Sequence, residues 1–243
     1  MRCPPRRFLS RTWLARIVIT LQLPGGWVIR CRVNEFIAFV EVFVLRDYEV
    51  QGLDWRSLRS VVDVGANVGM ATVWFARRAP NASILAVEPA PDALSLLRSN
   101  LDSTDLWGRV RVLQVALGPE SGTGRLFASG ASVEAAVMFE ASASDIGQPV
   151  SVVTLAQVLS DQKLSSVDLL KLDCEGAEFS ILASAEPEVL DRVHTIIGEY
   201  HQFQGNNVAD LKAELESRGF DVDVIPHPRE LTLGRFVARR LTT

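Results

Sequence analysis

From about residue 58 onward, short apolar runs alternate with stretches whose apolar residues recur every three or four positions. VVDVG (61–65), ILAVEP (84–89), VRVLQVALG (110–118), DLLKLD (168–173) and HTIIGEYH (194–201) read as buried strands. MATVWFARRA (70–79), PDALSLLRSNL (91–101), a run from about 176 to 184 and VADLKAELESRG (208–219) read as helices. In the second of these Leu94, Leu97 and Leu101 share one face, and Gly219 stops the last. FDVDVI (220–225) and LGRFVA (233–238) close the chain as a hairpin. Strands that alternate with helices predict an α/β fold, with a parallel sheet covered by helices on both faces. Residues 119–150 are rich in Ser, Ala and Gly with weak periodicity, and read as an irregular excursion that forms part of a pocket wall.

The first 35 residues differ from the rest. FLSRTWLARIVITLQL (8–23) places Leu9, Trp13, Ile17 and Leu21 four residues apart, the spacing of an amphipathic helix that Pro24-Gly25-Gly26 would end. Residues 1–35 are therefore expected to be a basic arm, and 36–243 the main domain. The arm could pack on the body or on a partner, touch a membrane surface, or be a signal or poorly ordered tail. Arg16 inside the apolar stretch and the lack of a small-residue cleavage site speak against a signal.

Charge sharpens that division. The 243 residues carry a net charge of −4, but residues 1–35 contain seven Arg and one Glu against an acidic remainder. The acidic body gives no electrostatic reason to expect nucleic acid. A hydrophobic fraction of 48% excludes a disordered chain, and no run of 18 apolar residues suggests a membrane span. Three cysteines, Cys3, Cys31 and Cys174, without a CxxC pair argue against a disulfide framework or structural zinc and fit a reducing cytoplasm.

In open α/β sheets ligands bind beyond the carboxyl ends of the strands. Asp63-Val64-Gly65-Ala66-Asn67-Val68-Gly69 joins the first strand of the main domain to its helix, where glycines allow a tight turn and the helix offers unpaired N–H groups. The spacing is neither GxxxxGK[ST] nor GxGxxG, so a P-loop or a dehydrogenase fingerprint has no support. Glu88 ends the next strand about 20 residues further on, where a carboxylate can bind the ribose hydroxyls of an adenosine.

VVDVGANVGMATVWFA, VEPAPDALSLLRSNL, VALG and DLLKLDCEGAEFSIL followed by IIGEYH together resemble the FkbM-type methyltransferases. The resemblance spans roughly residues 36–238. Cys174 stands where an apolar residue is commoner in that family, a mild departure. The resemblance implies a Rossmann-like class I methyltransferase fold with a mostly parallel seven-stranded sheet. It also implies S-adenosyl-L-methionine as methyl donor and a hydroxyl oxygen as the usual acceptor. It places Asp63, Gly65, Ala66, Asn67 and Gly69 along the methionine and ribose end of the donor, with Asp63 reaching the ammonium. It places Glu88 on the ribose, and Gln114, Val115 and Ala116 beside the adenine. Glu41 and Tyr48 fall in the entrance segment, where covering the donor and a purely structural part are equally open.

Methylating oxygen requires removal of a proton from a weakly acidic hydroxyl. Asp173, Glu175 and His201 are the candidate catalytic residues at the ends of the fourth and fifth strands, with Glu178 and Glu199 beside them. Acids at 173–178 also suit the start of a helix for capping reasons alone. Asp173, Glu199 and His201 could also converge on a divalent metal, although no spacing demands one. The expected acceptor is a small molecule, a glycan or a biosynthetic intermediate. Methylation at nitrogen or carbon, and a non-catalytic adaptor of the same fold, remain the alternatives.

Overall fold

A computed structural model describes residues 17–128, 135–138, 147–202 and 205–241. The first elements are β1 (Val18–Gln22) and β2 (Val28–Arg32), an antiparallel hairpin. The expected helix over 8–23 is thus corrected in its last part. Residues 18–22, VITLQ, are extended, because three β-branched residues in a row favour a strand once VIRCR lies opposite to receive their backbone bonds. Residues 8–16 lie outside the described residues. Ile29 and Cys31 are fully buried, so the hairpin is part of the main core.

A helical run from Val33 to Leu45 follows. Its middle turn is α1 (Phe36–Phe39), and its last six residues, Val40–Leu45, form a π-helix that ends on Arg46 in the left-handed region. Then come β3 (Ser60–Val64), α2 (Met70–Arg78), β4 (Ser83–Val87), α3 (Pro91–Thr104) and β5 (Val110–Leu113). Pro91 opens α3 where a missing N–H costs nothing. The chain continues through β6 (Ala116–Leu117), β7 (Gly122–Ala128), β8 (Ala135–Met138), β9 (Gln148–Val153) and α4 (Leu155–Asp161). It ends with β10 (Val167–Leu172), α5 (Glu178–Ser184), α6 (Pro187–Leu190), β11 (Val193–His201), α7 (Val208–Ser217), β12 (Phe220–Pro226) and β13 (Leu233–Arg240).

The main sheet has seven strands in the order β12-β13-β11-β10-β3-β4-β5. The five from β11 to β5 are parallel, and β13 and β12 return antiparallel as the expected hairpin. Side chains alternate across the sheet and fill two cores. Val61, Ile84, Leu169 and Ile197 pack on one side with β1–β2, α2 and α3. Val62, Leu85, Leu170 and Ile196 pack on the other with α4 to α7.

Two expectations change here. The single strand over 110–118 is broken at Gln114-Val115, and its second half leaves for another sheet. Part of the irregular excursion is ordered: β6, β9, β7 and β8 make a four-stranded second sheet. Gly124, Leu126, Val150 and Val152 supply buried positions at alternate residues there, a pattern diluted by Ser and Gly between them. Among the described residues no helix is long and apolar enough to cross a membrane.

Candidate functional site

The parity of the strands builds the site. Asp63, Lys171 and Glu199 lie two residues beyond Val61, Leu169 and Ile197, and so face the same side of the sheet at its carboxyl edge. Lys171 pairs in register with Asp63 on one side and Ile197 on the other. Its side chain is buried, with Nζ 3.2 Å from Asp63 Oδ1 and 3.5 Å from Asp173 Oδ2, and it donates to the carbonyls of Val64 (3.2 Å) and Gly65 (2.8 Å). Burial alone would lower the ammonium's pKa, but Asp63 and Asp173 outweigh it and hold it above the ordinary value.

Asp63, expected to reach the donor's ammonium, has no exposed surface. Its Oδ2 accepts from Thr72 Oγ1 at 2.5 Å, and its other oxygen faces Lys171. Its role in this structure is to anchor that lysine under the glycine turn. Gly65 has φ +73°, and a Cβ there would stand 1.8 Å from the carbonyl oxygen of Asp173, so no other residue fits between the two strand ends. Gly69 has φ +88°, and a Cβ there would press on Leu97 of α3. Asn67 is also left-handed, and Ala66 and Asn67 line the cleft.

Glu88 braces the same turn. Its carboxylate accepts from the Asn67 N–H (2.8 Å) and the Ala90 N–H (2.7 Å). Burial raises its pKa, and those two N–H groups partly offset the rise. Ala116, expected beside an adenine, is buried at the start of β6, just past the break in which Gln114 and Val115 lie.

Across the turn stand the acids. Tyr48, which follows the helical run, is buried, and its hydroxyl lies 3.0 Å from Asp173 Oδ2 and 3.3 Å from Glu199 Oε1. Its ring lies tilted against Phe75, and the Lys171 ammonium sits 5.5 Å from its centre. Glu199 is pushed up to about 8 by burial first and then by Asp173. Glu41 is raised by burial, Asp47 and Asp173, and Asp47 is raised by burial. Burial is the first cause in each case, and neighbouring carboxylates add to it at Glu199 and Glu41.

His201 is 3.4 Å from Glu175 Oε2 and 3.6 Å from Glu178 Oε1. Burial would lower its pKa, but Glu178 and Glu175 raise it to about 9, so it carries a proton at neutral pH. Glu178 is fully buried and accepts from the N–H groups of Cys174 (2.5 Å) and Gly176 (2.9 Å), closing the loop before α5. Glu175 is left-handed at φ +54° and lines the cleft. Asp173, Glu199 and His201 do converge, with one ligand-type atom of each within 4.8 Å of the others. Groups of the protein itself already contact these acids: Lys171 and Tyr48 at Asp173, and Tyr48 at Glu199.

An open cleft lies between the glycine turn and these acids. Ala38, Glu41 and Val42 of the helical run wall one side, Gly65 to Val68 another, and Asp173, Glu175 and Glu199 a third. Among the described residues of the lining, Lys171 is the one cationic side chain, against Glu41, Asp47, Asp173, Glu175 and Glu199. Such a lining suits a ligand group that carries positive charge.

Lys171 was absent from the expected site. Its signal is a lysine inside the apolar run DLLKL, since a strand buried on both faces admits a charge only with partners. That Tyr48 contacts both Asp173 and Glu199 has no local signal, because 125 and 151 residues separate the partners.

A family model described as the methyltransferase FkbM domain matches residues 63–222. The 31-O-demethyl-FK506 methyltransferase FkbM of Streptomyces tacrolimicus is 29% identical, covering 86% of this chain and 91% of that protein. Methyltransferase sdnD of Sordaria araneosa is 30% identical over 76% of this chain and 81% of its own length. The crystal structure of methyltransferase FkbM from Methylobacillus flagellatus KT superposes with a TM-score of 0.56 at 16% identity, covering 81% of this chain. The match spans 47% of that longer chain.

Proposed function

The chain belongs to the FkbM methyltransferase family, and on that premise we propose that it transfers a methyl group from S-adenosylmethionine to a hydroxyl oxygen of a small molecule, a glycan or a biosynthetic intermediate. The observation that carries the reading is the cleft at the carboxyl edge of the sheet. A glycine turn forms one wall, and the acidic side chains that face it, against one lysine, suit a sulfonium and an ammonium. The names of the 31-O-demethyl-FK506 methyltransferase and of the 2-O-methyltransferase NoeI of Sinorhizobium fredii, 27% identical over 58% of this chain, favour oxygen as the atom methylated.

When bound, the donor supplies an activated methyl group, so the protein's own task is positioning and proton removal. Gly65, Ala66, Asn67 and Gly69 bring backbone close to the donor, with Glu88 on the ribose side and Ala116 near the adenine end. Asp63 acts through Lys171. Asp173, which faces Lys171 and lines the cleft, is the base. His201, protonated at neutral pH, holds Glu175 at the wall of the cleft where the acceptor enters.

Isothermal calorimetry with S-adenosylmethionine and with its demethylated product tests the donor site. One-to-one binding of both is expected. Folded protein that binds neither contradicts the reading.

A further inference from the structure

We infer that Lys171 is a positioning residue for the methyl donor: its ammonium clamps the carbonyl side of the glycine turn, as Glu88 clamps the N–H side. The inference rests on the donor site proposed above. Gly65 has to be glycine, because a Cβ there would stand 1.8 Å from the carbonyl oxygen of Asp173. Glycine is also the residue whose backbone is least restrained by its own sterics. A turn that must present its backbone to a ligand from such a position needs a clamp from outside.

The neighbouring strands supply it from two sides. At the end of β4, the Val87 carbonyl accepts from the N–H groups of Gly65 and Ala66, both at 3.0 Å, and the Glu88 carboxylate accepts from the Asn67 N–H. From β10, Lys171 Nζ donates to the carbonyls of Val64 (3.2 Å) and Gly65 (2.8 Å). The peptide groups that join Val64 to Gly65 and Gly65 to Ala66 are therefore held at both poles. A peptide group is planar, so fixing its N–H and its C=O fixes the plane.

The ammonium is already committed to this task. It has three N–H donors, and the two carbonyls and Asp63 Oδ1, 3.2 Å away, match them. Asp173 Oδ2 stands further off at 3.5 Å. Thr72 Oγ1 of α2 donates to the other oxygen of Asp63 and so fixes the lysine's own anchor. Lys171 thus acts on the donor through the turn, whose Gly65, Ala66 and Asn67 line the cleft.

Calorimetric titration of the full chain with S-adenosylhomocysteine, paired with amide hydrogen exchange of the ligand-free protein, tests the clamp in Lys171→Met. Affinity is expected to fall about tenfold or more, because the turn is no longer preorganised. Exchange at Gly65, Ala66 and Asn67 should rise more than in the rest of the sheet. Thermal melting establishes that the variant is folded. A folded variant that binds as tightly as the wild type overturns the inference, leaves Lys171 a structural residue and leaves the donor site standing. Lost affinity with unchanged exchange at 65–67 also overturns it, and puts Lys171 in direct contact with the ligand. If Lys171→Met does not fold, Thr72→Val, which frees Asp63 from its anchor, is read in the same two ways. A fall in affinity of about threefold is then expected, and undiminished affinity overturns the inference. Folded wild-type protein that binds no S-adenosylhomocysteine overturns the donor site itself, and the inference with it.

Discussion

Glu88 shows how one side chain ties fold to function. Its carboxylate bonds the N–H groups of Asn67 and Ala90, so it fixes the glycine turn, and the proposed donor site adds the ribose to its partners. Glu88→Ala strands two N–H groups, and is expected to cost about 2 kcal/mol of stability. It should weaken S-adenosylmethionine binding at least about tenfold. Urea denaturation and calorimetry read the two effects separately. A variant of unchanged affinity would remove Glu88 from the donor site and leave it as a brace. The glycine turn and Glu88 were legible because each obeys a local rule, a positive-φ residue at a strand end and an acid at the end of the next strand. The buried ties of Asp63 and Glu178 were not, since their partners are set by the fold.

At the scale of elements, the β1–β2 hairpin is joined to the site by Asn100. The side chain of this fully buried residue of α3 accepts from the Arg30 N–H (2.6 Å) and donates to the carbonyls of Arg30 (2.9 Å) and Val68 (2.8 Å). It therefore links hairpin, helix and glycine turn. Asn100→Ala is expected to cost about 2–4 kcal/mol and to raise amide exchange in residues 28–32 and 65–69 before the rest of the sheet. Exchange confined to other segments would contradict this linkage. The alternation of strands and helices gave away the main sheet, whose buried strands are continuous apolar runs. The hairpin and the second sheet were harder to see. VITLQ fits a helical stripe until VIRCR is placed beside it, and β6, β7 and β9 are short and interrupted by Gly and Ser.

For the whole molecule, the buried acids and His201 set a pH dependence. Glu199 has a folded pKa of about 8 against an ordinary 4.5, and His201 about 9 against 6.5. Between each pair of values the native chain binds more protons than the unfolded one, so stability falls as pH rises through them. The melting temperature without ligand should decline steadily from pH 6 to pH 9, and Glu199→Gln should flatten the part below pH 8. A melting temperature that rises over that range would contradict both displacements. The same acidic cleft is the site proposed for a cationic donor. The most direct measurement is therefore a crystal structure of the chain with S-adenosylhomocysteine. The ligand is expected between the glycine turn and the acids, its ribose at Glu88 and its sulfur facing Asp173 and Glu199. Density for the ligand elsewhere, with Gly65 to Gly69 untouched, would contradict the account.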